Sequence, residues 1–301
     1  MFLPILYNVI HGICCGIIGI YVSELTTRKM APFPFYTIAN MAGAVIAWIF
    51  VFCNPIQSTD HLFLTSLFLG LGGLAAATAN YTMMRCYAIG HRGISAACGM
   101  SSIIISFLFG IIVMGERPST QSLIGLFILV SGLLSCILQK LRKDHSSSQG
   151  TYKDFRKWLL FMGMTILLNG ISAIMMGMPS WLGYHNCPFL LRSAIILLLS
   201  SFANMLLCIA TQKPITAYIK QYLPSAMVWG VIAVATNFMF FVSMDALTKI
   251  NLGSFKAPLT GTVTLVSFSC YSAIRCKEKY QFATVLGIVL CLLGIIVISL
   301  K

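Results

Sequence analysis

Gly115–Gly132 reads GERPSTQSLIGLFILVSG, and Lys277–Gly294 reads KEKYQFATVLGIVLCLLG. The two stretches align at one offset: Glu116 and Glu278, Gly125 and Gly287, and Gly132 and Gly294 are each 162 residues apart. Gly99 and Gly261 continue it. A hydrophobic unit written twice at fixed spacing marks an internally duplicated chain. Many secondary transporters use such duplication to build a site that can face either side of a membrane.

The rest of the chain fits that unit. Its 301 residues are 58% hydrophobic and 9% charged, with a mean hydropathy of +0.90. A soluble domain of this size has too little interior to hide so much apolar surface. Apolar stretches long enough to cross a hydrocarbon core of about 30 Å fall at 2–23, 33–53, 62–84, 93–114, 120–139, 158–177, 188–210, 223–244, 253–274 and 281–300. The longest polar interruption is Leu141–Arg156, which contains Lys143-Asp144-His145-Ser146-Ser147-Ser148-Gln149-Gly150. The predicted fold is an all-α membrane protein with ten transmembrane helices. Residues 1–140 form one five-helix repeat, 141–157 a cytoplasmic linker and 158–301 the second repeat. Because five is odd, successive repeats enter from opposite faces and are inverted relative to each other.

The formal net charge of +13 does not indicate nucleic-acid binding. Its lysines and arginines stand in short loops, with no basic face interleaved with aromatics. Of the 20 basic residues, 15 fall on the side holding the linker. The positive-inside rule then places the linker in the cytoplasm and both termini outside, in a cell membrane. The 11 cysteines mostly lie in apolar stretches, without C-x-x-C or His/Cys metal spacing, and read as small packing residues. No metal or cofactor is expected. The N-terminal stretch lacks a basic n-region and a cleavage site and reads as a retained helix.

Two five-helix halves, each with G/K-E before a helix carrying G-x6-G, resemble the EamA-type repeat of the drug/metabolite transporter superfamily over essentially the whole chain. Pro188-Phe189-Leu190-Leu191-Arg192 is similar to the family's arginine in the second helix of a repeat; the first half has Ile38 there. Ser102 and Thr264 stand where many members carry proline. Thr27-Arg28-Lys29, and Asn80-Tyr81 followed by Met84-Arg85-Cys86-Tyr87 and Gly90, resemble the rhamnose and glucose uptake branch. The resemblance implies a midplane cavity between the halves, formed mainly by helices 1, 3, 4, 6, 8 and 9, with helices 5 and 10 bracing the outside.

Polar side chains within apolar spans are the candidates for chemistry, since each is costly in hydrocarbon unless it faces the bundle interior or water. His11-Gly12-Ile13-Cys14 corresponds to Asn169-Gly170-Ile171-Ser172, and Asn80-Tyr81 to Asn237-Phe238. His11, Asn80, Tyr81, Asn169, Asn237, Arg192 and Trp229 are the predicted solute contacts; Asn40 and Asn204 are weaker alternatives. Amides offer donors and acceptors together, which suits a hydroxylated solute, and Arg192 would draw an anionic group. Each could equally be satisfied by a neighbouring helix. His11, Asp245 and Lys256 are the candidates for proton coupling. The bland alternative makes Asp245 and Lys256 a boundary ion pair. Glu116 and Glu278 are expected to cap the helices that follow them. Trp48, Trp158 and Trp181 are expected at the membrane interface.

These features predict alternating-access transport of a small polar metabolite, sugar-like in preference to an amino acid or drug, with proton coupling, by a monomer or a homodimer. The seven carboxylates are dispersed and no G-x4-G-K-[ST] occurs, which argues against a membrane enzyme and against direct ATP drive. Nothing suggests the ring-like filter of a channel.

Overall fold

The computed structural model describes residues 2–27, 30–53, 61–89, 99, 102–145, 152–211, 214–275 and 282–299. Among these, every regular element is helical. The α-helices delimited among the described residues are ten: α1 Phe2–Thr27, α2 Pro32–Cys53, α3 Leu62–Ala88, α4 Ser102–Ile112, α5 Thr120–His145, α6 Tyr152–Trp181, α7 Phe189–Ala210, α8 Ile219–Thr248, α9 Lys256–Arg275 and α10 Phe282–Ser299. Short 3-10 turns, Ile215–Tyr218 and Gly253–Phe255, lead into α8 and α9.

Among the described residues, six helical segments are long and apolar enough to cross a membrane: Phe2–Val22, Pro32–Cys53, Leu62–Cys86, Arg156–Trp181, Phe189–Ala210 and Ile215–Thr248. The burial pattern agrees with a lipid setting. Phe52, Phe63 and Phe127 stand exposed, while Asn8, His11, Asn204, Arg192, Asp245 and Lys256 are buried. An apolar exterior around a polar interior is what hydrocarbon solvent requires. The chain is a helical integral membrane protein.

The helices differ from their expected limits at the middle of the chain. α5 continues to His145 and α6 starts at Tyr152, so helix occupies most of the stretch expected as linker. The reason is that Lys, Arg, Gln and Leu are good helix formers whether or not they lie in hydrocarbon. Hydropathy marks the apolar segment, not the end of its hydrogen bonding.

The packing partners are specific. α1 packs on α9 and α8, α2 on α7 and α8, α3 on α6 and α7, α4 on α6, and α5 on α10. Two crossings depend on glycine. A Cβ on Gly230 of α8 would lie 2.8 Å from the backbone nitrogen of Gly43 in α2, so the two backbones meet without intervening side chains. A Cβ on Gly73 of α3 would lie 2.7 Å from Ser200 Oγ in α7. Around the first crossing, Phe35, Tyr36, Tyr222 and Trp229 pack edge to face with centroids 5.3–6.1 Å apart. Tyr222 and Tyr21 tie this cluster to the main chain: Ala31 N–H donates to Tyr222 Oη at 3.0 Å, and Tyr21 donates to Ser225 O at 2.8 Å.

Candidate functional site

Close contact between α1 and α9 creates the first polar cluster. Gly12 leaves no room for a side chain: a Cβ there would lie 2.6 Å from Val263 Cβ. Thr264 donates to Gly12 O at 3.1 Å across the same contact. One turn either side of Gly12, residues at i, i+3 and i+4 spacing share a face. Asn8 and His11 on α1 therefore meet Lys256 and Thr260 on α9.

Asn8 Nδ2 donates to Lys256 O at 3.0 Å, and Thr260 Oγ1 donates to Asn8 Oδ1 at 2.9 Å. His11 Nδ1 lies 3.1 Å from Thr260 Oγ1 and 3.1 Å from Lys256 Nζ. Its Nε2 is 3.4 Å from Cys15 Sγ. Phe240 of α8 closes the group, with its ring 3.9 Å from Lys256 Nζ and edge-on to His11 at 5.5 Å between centroids. Asn8, His11 and Lys256 are all buried. Among the described residues no carboxylate pairs with Lys256. Its charge is met by an imidazole nitrogen and the face of an aromatic ring, an arrangement known to attract cations but not to neutralise them.

A second cluster joins the ends of α6, α7 and α8. Arg192 Nη1 donates to Asp245 Oδ1 at 3.0 Å and approaches Ser180 Oγ at 3.4 Å. Ser180 also donates to Asp245 Oδ1, and Arg192 Nη2 donates to Tyr184 O. His185 Nδ1 lies 3.2 Å from Asp245 Oδ2, within ion-pair reach but misaligned for a hydrogen bond. Arg192 is fully buried and its cation is neutralised by Asp245. The expected boundary pair of Asp245 with Lys256 does not form. Asp245 takes Arg192 from another helix, and Lys256 turns to α1. Beside this cluster, burial pushes the Cys187 thiol up from its ordinary value, against the opposing pull of Arg192.

Glu116 also departs from expectation. Gly115, at φ +68°, turns the chain sharply after α4. The carboxylate then reaches α9's lead-in turn: Ser254 N–H donates to Glu116 Oε2 at 2.8 Å, and Trp181 Nε1 donates to Oε1 at 2.7 Å. Glu116 thus caps a turn in the other half of the chain, not the start of α5, and Trp181 has a specific partner. A Cβ on Gly253 would lie 2.6 Å from both Glu116 Oε1 and Trp181 Nε1, so only glycine fits between them. Glu278 lies outside the described residues.

The other predicted residues divide. Asn80 and Asn169 are half-buried, and among the described residues neither has a hydrogen-bond partner. Asn237 donates to Ala233 O one turn back at 3.0 Å, leaving its carbonyl oxygen uncommitted among the described residues. Tyr81 accepts from Arg85 Nε at 2.9 Å and stacks on Phe33 at 4.6 Å. Trp229 donates to Asn40 Oδ1 at 3.2 Å inside the aromatic cluster, and Asn204 donates to Ser200 O at 2.8 Å. Trp158 is buried against Cys86 and Met162. Asn8, Thr260 and Cys15 were not among the predicted residues. The signal that could have found them is spacing: Asn8 precedes His11 by three positions, Thr260 follows Lys256 by four, and Cys15 follows His11 by four.

No protein-family model and no curated protein matches the chain. A solved structure described only as "Crystal structure of protein" superposes with a TM-score of 0.72 over 99% of this chain and 98% of its own, at 11% identity. At that identity the likeness shows a shared fold over the full length.

Proposed function

We propose that the chain is a secondary-active transporter that moves a small polar metabolite by alternating access between two inverted five-helix repeats. Each apolar helix is one crossing, ten in all, in a cell membrane with the linker in the cytoplasm.

The observation that carries this reading is the exchange pattern of the packing. Advancing each helix by five turns α1 on α9 into α6 on α4, α1 on α8 into α6 on α3, and α2 on α8 into α7 on α3; all are present. The pairs α2 with α7 and α5 with α10 map onto themselves. Single residues follow the same exchange. Gly73 and Gly230 stand 157 positions apart, as do Asn80 and Asn237, and both glycines make a close crossing with the opposite half. Gly12 and Gly170, 158 apart, each press on the opposite half, at Val263 and Ile105. Two interleaved units of this kind can rock about their seam and expose a central site to either side.

The solute site lies at that seam. His11, Asn80, Asn169 and Asn237 supply donors and acceptors, as a hydroxylated solute requires. Lys256, buried without a carboxylate partner among the described residues, favours a sugar-like solute with an acidic group over a fully neutral one. A cation in the membrane interior needs an anionic or strongly electronegative partner. Arg192 leaves the solute role, because Asp245 already occupies it. Proton coupling rests with His11 and Lys256.

The test is counterflow. Proteoliposomes preloaded with a panel of neutral sugars, sugar acids and amino acids are assayed for uptake of the labelled compound. Saturable uptake accelerated by preloading supports a carrier. Flux linear in concentration, without counterflow for any compound, ends that reading. Lys256→Met should abolish uptake of a sugar acid.

A further inference from the structure

The hydrogen bonds around His11 can be followed donor by donor. Lys256 O is a carbonyl and can only accept, so the Asn8 atom 3.0 Å from it is the amide nitrogen. Asn8 Oδ1 is then an acceptor. Thr260 Oγ1, 2.9 Å away, must spend its one hydroxyl proton there. What Thr260 can still offer His11 Nδ1, at 3.1 Å, is a lone pair. For that contact to be a hydrogen bond, Nδ1 must be the donor and carry the ring proton. In a neutral ring Nε2 is then bare, and it accepts from the Cys15 thiol at 3.4 Å.

This chain of assignments collides with Lys256. Its Nζ sits 3.1 Å from the same Nδ1. An ammonium N–H directed at a ring N–H is repulsive, whereas an amine lone pair would share the ring proton. Among the described residues the neighbours offer no other partner. From α1 the titratable groups are His11 and Cys15. α8 presents the Phe240 ring, and its one carboxylate, Asp245, is held by Arg192. The conflict is local to one nitrogen.

We propose that Asn8 and Thr260 are positioning residues that fix His11 as its Nδ1–H tautomer, so that Lys256, not His11, is the group that gains and loses the site's mobile proton. In the solute-free form Lys256 shares the ring proton as an amine. An acidic solute group arriving at Nζ replaces His11 as its partner and favours the ammonium. One proton is taken up on nitrogen as the anion binds, and it is released when the anion leaves. The inference deepens the transport reading and takes its meaning from it, but its readout needs no solute.

The experiment is nitrogen NMR of the full chain in lipid nanodiscs, with 15N-labelled histidine and His11→Gln to assign the ring. The bare nitrogen of His11 should be Nε2, and should remain so from about pH 6 to 8, where an ordinary histidine would titrate. Thr260→Val should move the bare nitrogen to Nδ1, and Thr260→Ser should keep the wild-type pattern. A wild-type ring protonated at Nε2 overturns the proposal, and so does a ring that becomes doubly protonated within that range. Should Thr260→Val not fold, the wild-type spectrum alone decides. A failed counterflow assay with this tautomer intact removes the carrier and leaves the positioning role. Counterflow with the opposite tautomer does the reverse.

Discussion

Two buried basic side chains of this molecule live under opposite conditions. Arg192 is enclosed at the ends of α6, α7 and α8, with Asp245, Ser180 and a main-chain carbonyl arranged around its guanidinium. Lys256 is also buried, between α1 and α9, and among the described residues it meets an imidazole nitrogen and a phenyl face. The difference teaches that burial does not separate a structural charge from a working one. The neighbours do. Arg192 has its counter-ion within the fold, whereas Lys256 has no carboxylate partner among the described residues, which is why it is the proposed solute contact.

The largest expected effect breaks the matched pair. Asp245→Ala strands Arg192 without a counter-ion and should cost about 3–5 kcal/mol of stability, read as a lower melting temperature in detergent. Replacing both partners, Arg192→Met with Asp245→Leu, should recover most of that loss. Equal destabilisation by the double variant would show that the pair does not act as a unit.

Glu116 is an intermediate case, a buried carboxylate met by neutral donors alone. Glu116→Gln keeps the shape but weakens the bonds to Ser254 and Trp181, and should cost about 1–2 kcal/mol. Unchanged melting would remove it as a tie between the halves. Lys256→Met sharpens the contrast from the other side. Stability should change by less than about 1 kcal/mol or rise, because no counter-ion is stranded among the described residues and His11 keeps Thr260 as a partner, while counterflow is lost. A loss of stability like that of Asp245→Ala would mean that Lys256 is structural after all.

The smallest effect reports on the matched cluster without disturbing it. Burial raises the Cys187 thiol, so less reactive thiolate is present near neutral pH, and maleimide should label it slowly in the wild type. Labelling should quicken in Asp245→Ala, where the surrounding contacts loosen. Fast labelling in both would show that the cluster is open to solvent.

Helix was legible because the chain is a series of apolar runs, six of them long enough among the described residues to cross a membrane, and His11 stands out as a polar group within one. What the sequence could not convey was which runs adjoin. Asp245 and Lys256 are eleven positions apart and looked like partners, yet each is claimed by a residue distant in the chain. Glu116 looked like a local cap for the same reason: the Ser254 amide that it meets lies 138 positions away. Asn8 and Thr260 were passed over because small polar residues near helix ends carry no hydropathy signal. Only the α1–α9 contact, allowed by Gly12, brings them to the histidine. Near the middle of the chain helix extends past the apolar runs, because apolarity stops before helical hydrogen bonding does.

The bare crossing of Gly230 on Gly43 gives α8 a fulcrum. The two backbones touch there directly, and a tilt about that point would have to carry the flanking Tyr222 and Trp229 rings along Phe35 and Tyr36. At about 1.5 Å of rise per residue, the arm from Gly230 to Thr248 is roughly 27 Å and the arm to Ile219 roughly 16 Å. A swing of about 10° would carry the two tips through roughly 5 Å and 3 Å in opposite directions. Unequal lever arms make the travel at one membrane face larger than at the other, and Phe240, which faces the lysine, rides on the longer arm.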